Sequence, residues 1–176
     1  MFDNVGLENI DGLSNITDIN GFFQIAGSSS LKNIDALANL VSVKSILTIT
    51  NNALLENING LISLKSVGGD LQIRHNPFIN SLEGLNALEN IGGNLNLSPN
   101  ERLNDFCAIK NFLISDGLVG SIFEMQFNKY NTSRQNIIEG DCFKDFPQGV
   151  YGGNLTIRSK GAYNTCLLYT SPSPRD

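Results

Sequence analysis

Apolar residues in this chain recur with two alternating spacings that repeat as a block. Phe23-Gln24-Ile25, Leu71-Gln72-Ile73 and Leu95-Asn96-Leu97 alternate apolar with polar, the mark of short strands with one buried face. Before each strand the apolar residues fall at every third position, as at Leu55, Ile58, Leu61, Leu64 and Val67. That spacing predicts a tight arc or 3₁₀-like turns, because an α-helical stripe needs alternating steps of three and four. One strand, a turn and a tightly wound return are therefore expected in each block.

A shift of 24 residues superimposes the chain on itself without gaps for about a hundred residues. Seven apolar columns result, among them Leu7/Leu31/Leu55/Ile79/Leu103, Ile10/Ile34/Ile58/Leu82/Phe106 and Leu13/Leu37/Leu61/Leu85/Ile109. At 41% hydrophobic residues, one five-member column would be all apolar by chance about once in a hundred. The expected fold is mainly β with short helices: a right-handed leucine-rich-type β-solenoid of 24-residue coils forming a parallel sheet, closed by an α/β C-terminal cap. Residues 1–102 form the solenoid, which begins mid-coil because Met1 falls in a strand column and Asn4 in a bend column.

Two columns are not apolar. Gly12/Ala36/Gly60/Gly84/Ala108 is always small, as expected where the backbones of successive coils come close. Asn4/Ser28/Asn52/Asn76/Asn100 follows each strand. Inward amides at Asn52, Asn76 and Asn100 would form a ladder that bonds the orphaned backbone groups of the bend, unless Asn is there only for its tolerance of αL turns. Gly21, Gly69 and Gly93 precede strands and are expected at positive φ.

After Asn100 the period decays, which assigns residues 103–142 to a capping segment. Asp105–Asp116 is expected to be a helix with Phe106, Ile109, Phe112 and Leu113 on one face and Gly117 at C′. A strand is expected over Ser121–Phe127, then a short helix opened by a capping box at Thr132-Ser133-Arg134-Gln135 and ended by Gly140. Tyr151–Arg158 repeats Val67–Arg74 almost position for position, so residues 143–165 start a second array.

The last segment, 166–176, looks like the in-frame translation of a transposase-type sequencing-library adapter and is read as foreign to the fold. Setting it aside leaves the net charge at −5 and reduces three cysteines to two, Cys107 and Cys142. An even pair at the two ends of the cap can bridge it, which would imply an oxidising compartment; the alternative is two buried free thiols.

The acidic balance and scattered basic residues argue against a nucleic-acid partner. No apolar run is long enough to span a bilayer. The single histidine, His75, occupies a turn position shared with Gly27, Asn51 and Pro99, and there is no CxxC, HExxH or EF-hand pattern. Neither catalytic residues, a metal site nor a cofactor is expected.

With L-x-x-I-x-G-L-x-x-L-x-x-V-G-G-x-L-x-I-x-x-N at Leu55–Asn76 and Leu103–Cys107 ending the run, the chain resembles the receptor L-domain-like family of leucine-rich β-solenoids, most closely its bacterial surface-protein branch. The likeness covers residues 1–142 and restarts near Gly149. It implies an extracellular or cell-surface location and binding of a protein or glycan ligand, and transfers no catalytic residue. The binding surface expected is the outward strand face around Ile46, Thr48, Gln72 and Arg74, where an apolar patch is rimmed by polar groups. A passive spacer, or an accessory module of a secreted enzyme, is the alternative.

Overall fold

A computed structural model describes residues 6–115, 117 and 123–144. Two parallel sheets run through it, and both carry the 24-residue period in their register. The first holds β1 (Asp18–Ile19), β3 (Ser42–Val43), β5 (Ser66–Val67) and β7 (Asn90–Ile91), in that order. The second holds β2 (Phe23–Ala26), β4 (Leu47–Thr50), β6 (Leu71–Arg74), β8 (Leu95–Asn96) and β9 (Phe123–Glu124). Pairings such as Ile25↔Ile49 and Ile49↔Ile73 keep like residues opposite like residues, so one apolar face continues from strand to strand.

The expectation of one strand per repeat is corrected to two. The extra strands are only two residues long, too short for period-two alternation to register in the sequence.

Short 3₁₀ turns recur every 24 residues at Asp11–Leu13, Asp35–Leu37, Asn59–Leu61, Glu83–Leu85 and Cys107–Ile109, as the every-third spacing predicts. The group two positions before each turn's first residue explains where these turns start. Side-chain oxygens of Asn9, Asn33, Asn57, Ser81 and Asp105 accept from the N–H of Asp11, Asp35, Asn59, Glu83 and Cys107, at 2.9–3.3 Å. This column of local caps has mixed chemistry and is hidden in the apolar pattern.

Between the two sheets and the turns lies one core. Leu31, Ile34, Leu37, Leu40, Leu47 and Ile49 are fully buried, and so are their counterparts in the next repeat. The small column works by close approach: a Cβ on Gly60 would fall on the Ile34 carbonyl, and one on Gly84 on the Ile58 carbonyl. The same explanation holds at the corner glycines Gly69 and Gly93, while a Cβ on Gly21 would meet nothing within 4 Å. Gly21, Gly69 and Gly93 do not take positive φ; a Cβ on Gly69 would come within 3.1 Å of Ile46 and Ser45, and one on Gly93 would meet the Asp70 backbone at 2.8 Å.

Positive φ is instead found just after the strands, at Gly27 (71°), Asn51 (56°), His75 (54°) and Phe127 (59°), while Pro99 follows a cis peptide bond at the equivalent place. The next residue in each repeat carries the ladder. Asn52, Asn76 and Asn100 are completely buried. Each reaches back one repeat: Asn76 Oδ1 accepts from Asn52 N–H (3.2 Å) and its Nδ2 donates to the Ile49 carbonyl (3.0 Å). Asn52 does the same for Ser28 N–H and the Ile25 carbonyl, and Asn100 for Asn76 N–H and the Ile73 carbonyl.

The repeat does not stop at Asn100. Asn128 Oδ1 accepts from Asn100 N–H at 2.7 Å, and β9 pairs with β8 through Leu95↔Phe123 and Asn96↔Glu124. The offset has grown from 24 to 28, which a gapless shift cannot detect. The ladder then ends internally, because Asn131 Oδ1 accepts from Asn128 N–H at 3.0 Å. Ladder and strand pairing therefore continue past residue 103.

Inside that longer repeat the expected helix over Asp105–Asp116 is a 3₁₀ turn running into α1 (Lys110–Ile114), with Phe106, Ile109, Phe112 and Leu113 all buried. Gly117 lies in this bend for lack of room, since a Cβ there would meet the Phe112 ring at 2.8 Å, and not at positive φ. The strand expected over Ser121–Phe127 is confined, among the described residues, to Phe123–Glu124; Ser121 and Ile122 lie outside them.

The second helix, α2 (Arg134–Glu139), packs on α1 and is capped by Ser133, not Thr132: Ser133 Oγ accepts from Asn136 N–H, while Gln135 bonds Glu139. Gly140 at φ 103° closes it, with Gly140 N–H bonding the Ile137 carbonyl and Asp141 N–H the Asn136 carbonyl.

Cys107 and Cys142 are at disulfide distance, their Cα atoms 4.9 Å apart. Phe106 N–H donates to the Cys142 carbonyl beside them, and Asp105 pairs antiparallel with Phe143. Burial is the main cause that raises the Tyr130 hydroxyl above the ordinary phenol range; its O–H donates to the Asp141 carbonyl and its ring packs edge-on against Phe106. Met1 and Asn4, the proposed second array beyond Lys144, and the 166–176 tail lie outside the described residues.

Two expectations follow. Asn76→Ala strands Asn52 N–H and the Ile49 carbonyl in the core, and is expected to lower unfolding free energy by about 3 kcal/mol in denaturant titration. Asn76→Leu, which refills the volume but restores no bond, should not recover it. Reducing the bridge, or Cys107→Ser, opens a 35-residue separation and is expected to cost about 3–4 kcal/mol.

Candidate functional site

The outward residues of the second sheet form three columns; of the four sequence-proposed positions, Thr48 lies on β4, Gln72 and Arg74 on β6, and Ile46 just before β4. Thr48 and Gln72 are direct register partners, as are Thr50 and Arg74. Ile46 stands at the corner just before β4 and is 38% exposed, next to Phe22 at 71%. Thr48, Gln72 and Arg74 are half-buried. Thr50 is buried, and neither its Oγ1 nor Arg74 Nε has a hydrogen-bond partner among the described residues.

Toward the capped end the same face changes character. Asp70, Gln72, Asn94, Asn96 and Glu124 line an open depression of about 180 Å³. Its side chains are mutually oriented. Asp70 Oδ1 accepts from Asn94 N–H (2.8 Å), Gln72 Nε2 donates to Asp70 Oδ2 (3.4 Å), and Asn96 Nδ2 donates to Glu124 Oε2. Asn96 Oδ1 in turn accepts from Ser98 N–H at 3.0 Å. The backbone makes this possible: Gly93 lets strand and corner approach closely enough for the Asp70 carboxylate to sit over the Asn94 amide.

Glu124 was invisible to the 24-residue columns because it belongs to the 28-residue repeat. The signal that finds it is Asn128 standing behind the alternation Phe123-Glu124-Met125, as Asn100 stands behind Leu95-Asn96-Leu97.

Elsewhere the chemistry is local. Ser42 Oγ donates to Asp18 Oδ1 across β1 and β3, and this bond, with lesser help from Thr17 and Lys44, holds the Asp18 carboxyl below the ordinary aspartate range. A larger open hollow on another face, about 620 Å³, is bordered by the exposed Lys65–Glu89 pair (3.4 Å), Asn111 and Phe112. Among the described residues no three His, Cys, Asp or Glu side chains gather as metal ligands would, and no helix is long and apolar enough to cross a membrane.

His75 is exposed and sits where a left-handed turn is required. His75→Gly is therefore expected to leave stability unchanged or raise it by up to about 1 kcal/mol, and His75→Val to lower it by about 1–2 kcal/mol, in thermal or denaturant unfolding. No protein-family model matches the chain, and neither the curated proteins nor the solved structures searched contain a significant match to it.

Proposed function

We propose that the chain is a recognition module without catalytic chemistry of its own, built as a right-handed leucine-rich-type β-solenoid and displayed on a secreted or cell-surface protein. The observation that carries this reading is the continuous outward face of the second sheet. Five parallel strands hold its side chains in fixed register, and on it the exposed apolar Phe22 and Ile46 border polar groups. An apolar patch with a polar rim is the usual composition of a surface that meets a partner. Its ligand is a protein or glycan, met around Ile46, Thr48, Gln72 and Arg74.

The bridge between Cys107 and Cys142 supports an oxidising, extracellular setting. Among the described residues the inward side chains of the repeats gather in one apolar cluster, which leaves the outward face of the second sheet as the surface a ligand would meet. A passive spacer is the second reading, favoured only by the solvated character of Thr48, Gln72 and Asn96.

Peptide and glycan arrays probed with the wild-type chain and with an Ile46→Asp/Arg74→Glu pair test this. The expected result is a set of ligands bound by the wild type and lost by the pair, with both proteins melting at the same temperature. Equal binding by the two would move recognition off this face, and an array without any ligand would favour the spacer.

A further inference from the structure

Within the reading of the second sheet as a recognition face, we propose that its partner is a protein segment in which a basic side chain is seated over Asp70 and Glu124 while a neighbouring apolar residue packs on Ile46. The face is graded. Phe22 and Ile46 lie at one end, and the depression lined by Asp70, Gln72, Asn94, Asn96 and Glu124 at the other.

Three features of that depression point to a cationic donor. Both ionisable groups lining it are carboxylates, and among the described residues neither is ion-paired: the pairs present are Lys65–Glu89 and Lys144–Asp141. Two of the lining amides turn a donor onto these carboxylates. Gln72 Nε2 is turned to Asp70 and Asn96 Nδ2 to Glu124, while Asn96 Oδ1 is already taken by Ser98 N–H. Among the described residues Gln72 Oε1 and Glu124 Oε1 accept no hydrogen bond and Asp70 Oδ2 only a long one, so these acceptors face the depression. A guanidinium or ammonium group supplies donors together with the charge that two unpaired carboxylates lack, which a neutral sugar hydroxyl does not.

Arg74, the cation on β6, does not line the depression. It stands in the next outward column beside Thr50.

The spacing is set by the sheet. Ile46 precedes β4 and the depression spans β6, β8 and β9, roughly 10 Å away at strand spacing. An extended segment crossing the strands covers that span with about four residues. The chain's net charge of −5 favours approach of a basic segment at low ionic strength.

Fluorescence anisotropy with the full chain tests this, using a labelled peptide that carries Leu and Arg four positions apart in a Gly/Ser background, and the same peptide with citrulline for Arg. The Arg peptide is expected to bind, more weakly as salt rises. Citrulline, Glu124→Gln and Asp70→Asn are each expected to weaken it by roughly tenfold, with unchanged melting temperatures. Two carboxylate variants guard against a fold defect in either one. Equal binding of Arg and citrulline peptides, indifference to both variants, or no binding of the Arg peptide overturns the inference. If the peptides bind equally and Ile46→Asp/Arg74→Glu still abolishes binding, recognition on this face survives and only the basic partner falls.

Discussion

A strand that ends at a buried bend leaves N–H and C=O groups that water cannot reach, and the whole stack depends on how those groups are satisfied. Here one amide per repeat meets the need of the repeat before it. Asn52, Asn76, Asn100 and Asn128 each accept a buried N–H of the preceding ladder residue, and the first three also donate to the carbonyl of an inward strand residue one repeat back. Each bend from Ser28 to Asn100 thus relies on the next repeat for its ladder N–H, and the apolar columns add the same dependence through burial. The ends of the ladder are therefore informative. Ser28, its first member among the described residues, has a hydroxyl that donates to the Leu7 carbonyl and accepts from Leu31 N–H, and Asn131 stands three residues after Asn128 at the other end.

That constraint explains which parts of the fold were legible in the sequence. Residues that contact the neighbouring repeat must recur, so the apolar columns, the small column and Asn52, Asn76 and Asn100 stand out once the chain is shifted by 24 residues. Asn128 and Glu124 escaped because four residues are added between Asn100 and Asn128, which preserves the contact in space and destroys it in a gapless comparison. The corner glycines show a different failure. Gly69 and Gly93 were visible as glycines, but sequence offers no way to tell a left-handed φ from a close approach, and the structure assigns the first to Asn51 and His75 and the second to the glycines. The local caps at Asn9, Asn33, Asn57, Ser81 and Asp105 were missed because three residue types supply one acceptor.

The cap shows the same economy of contact. Its first part is still a repeat, with a 3₁₀ turn at Cys107–Ile109 and a ladder residue at Asn128, while the inserted length is spent on α1 and the bend at Gly117. Phe106 and Phe112 replace the smaller Leu and Ile of their columns and are buried at this end of the core. Segment 141–144 then returns along 104–106, fixed by the Cys107–Cys142 bridge and by reciprocal bonds between Asn104 and Lys144. Ser133 as the true cap of α2 fits this picture: Thr132, the residue the sequence motif selected, turns its hydroxyl to the Asp141 carbonyl and helps hold that returning segment.

Function was less legible for a physical reason. Inward positions answer to the neighbouring repeat and outward positions of the second sheet answer only to solvent or a ligand, so the outward columns carry no period from which a role can be deduced. What distinguishes one outward residue from another is the bonding around it, which depends on coordinates. Asp70 and Glu124 look in sequence like ordinary surface acids. In the structure they are held by neutral amide donors, on a face whose other end is apolar. A carboxylate held by neutral donors has already lost conformational freedom, so less ordering is left to be done when an oppositely charged group arrives. The rigid register that the buried amides impose on the strands is thus also what preorganises their exposed side, and the link from the ladder to any partner runs through β6, β8 and β9.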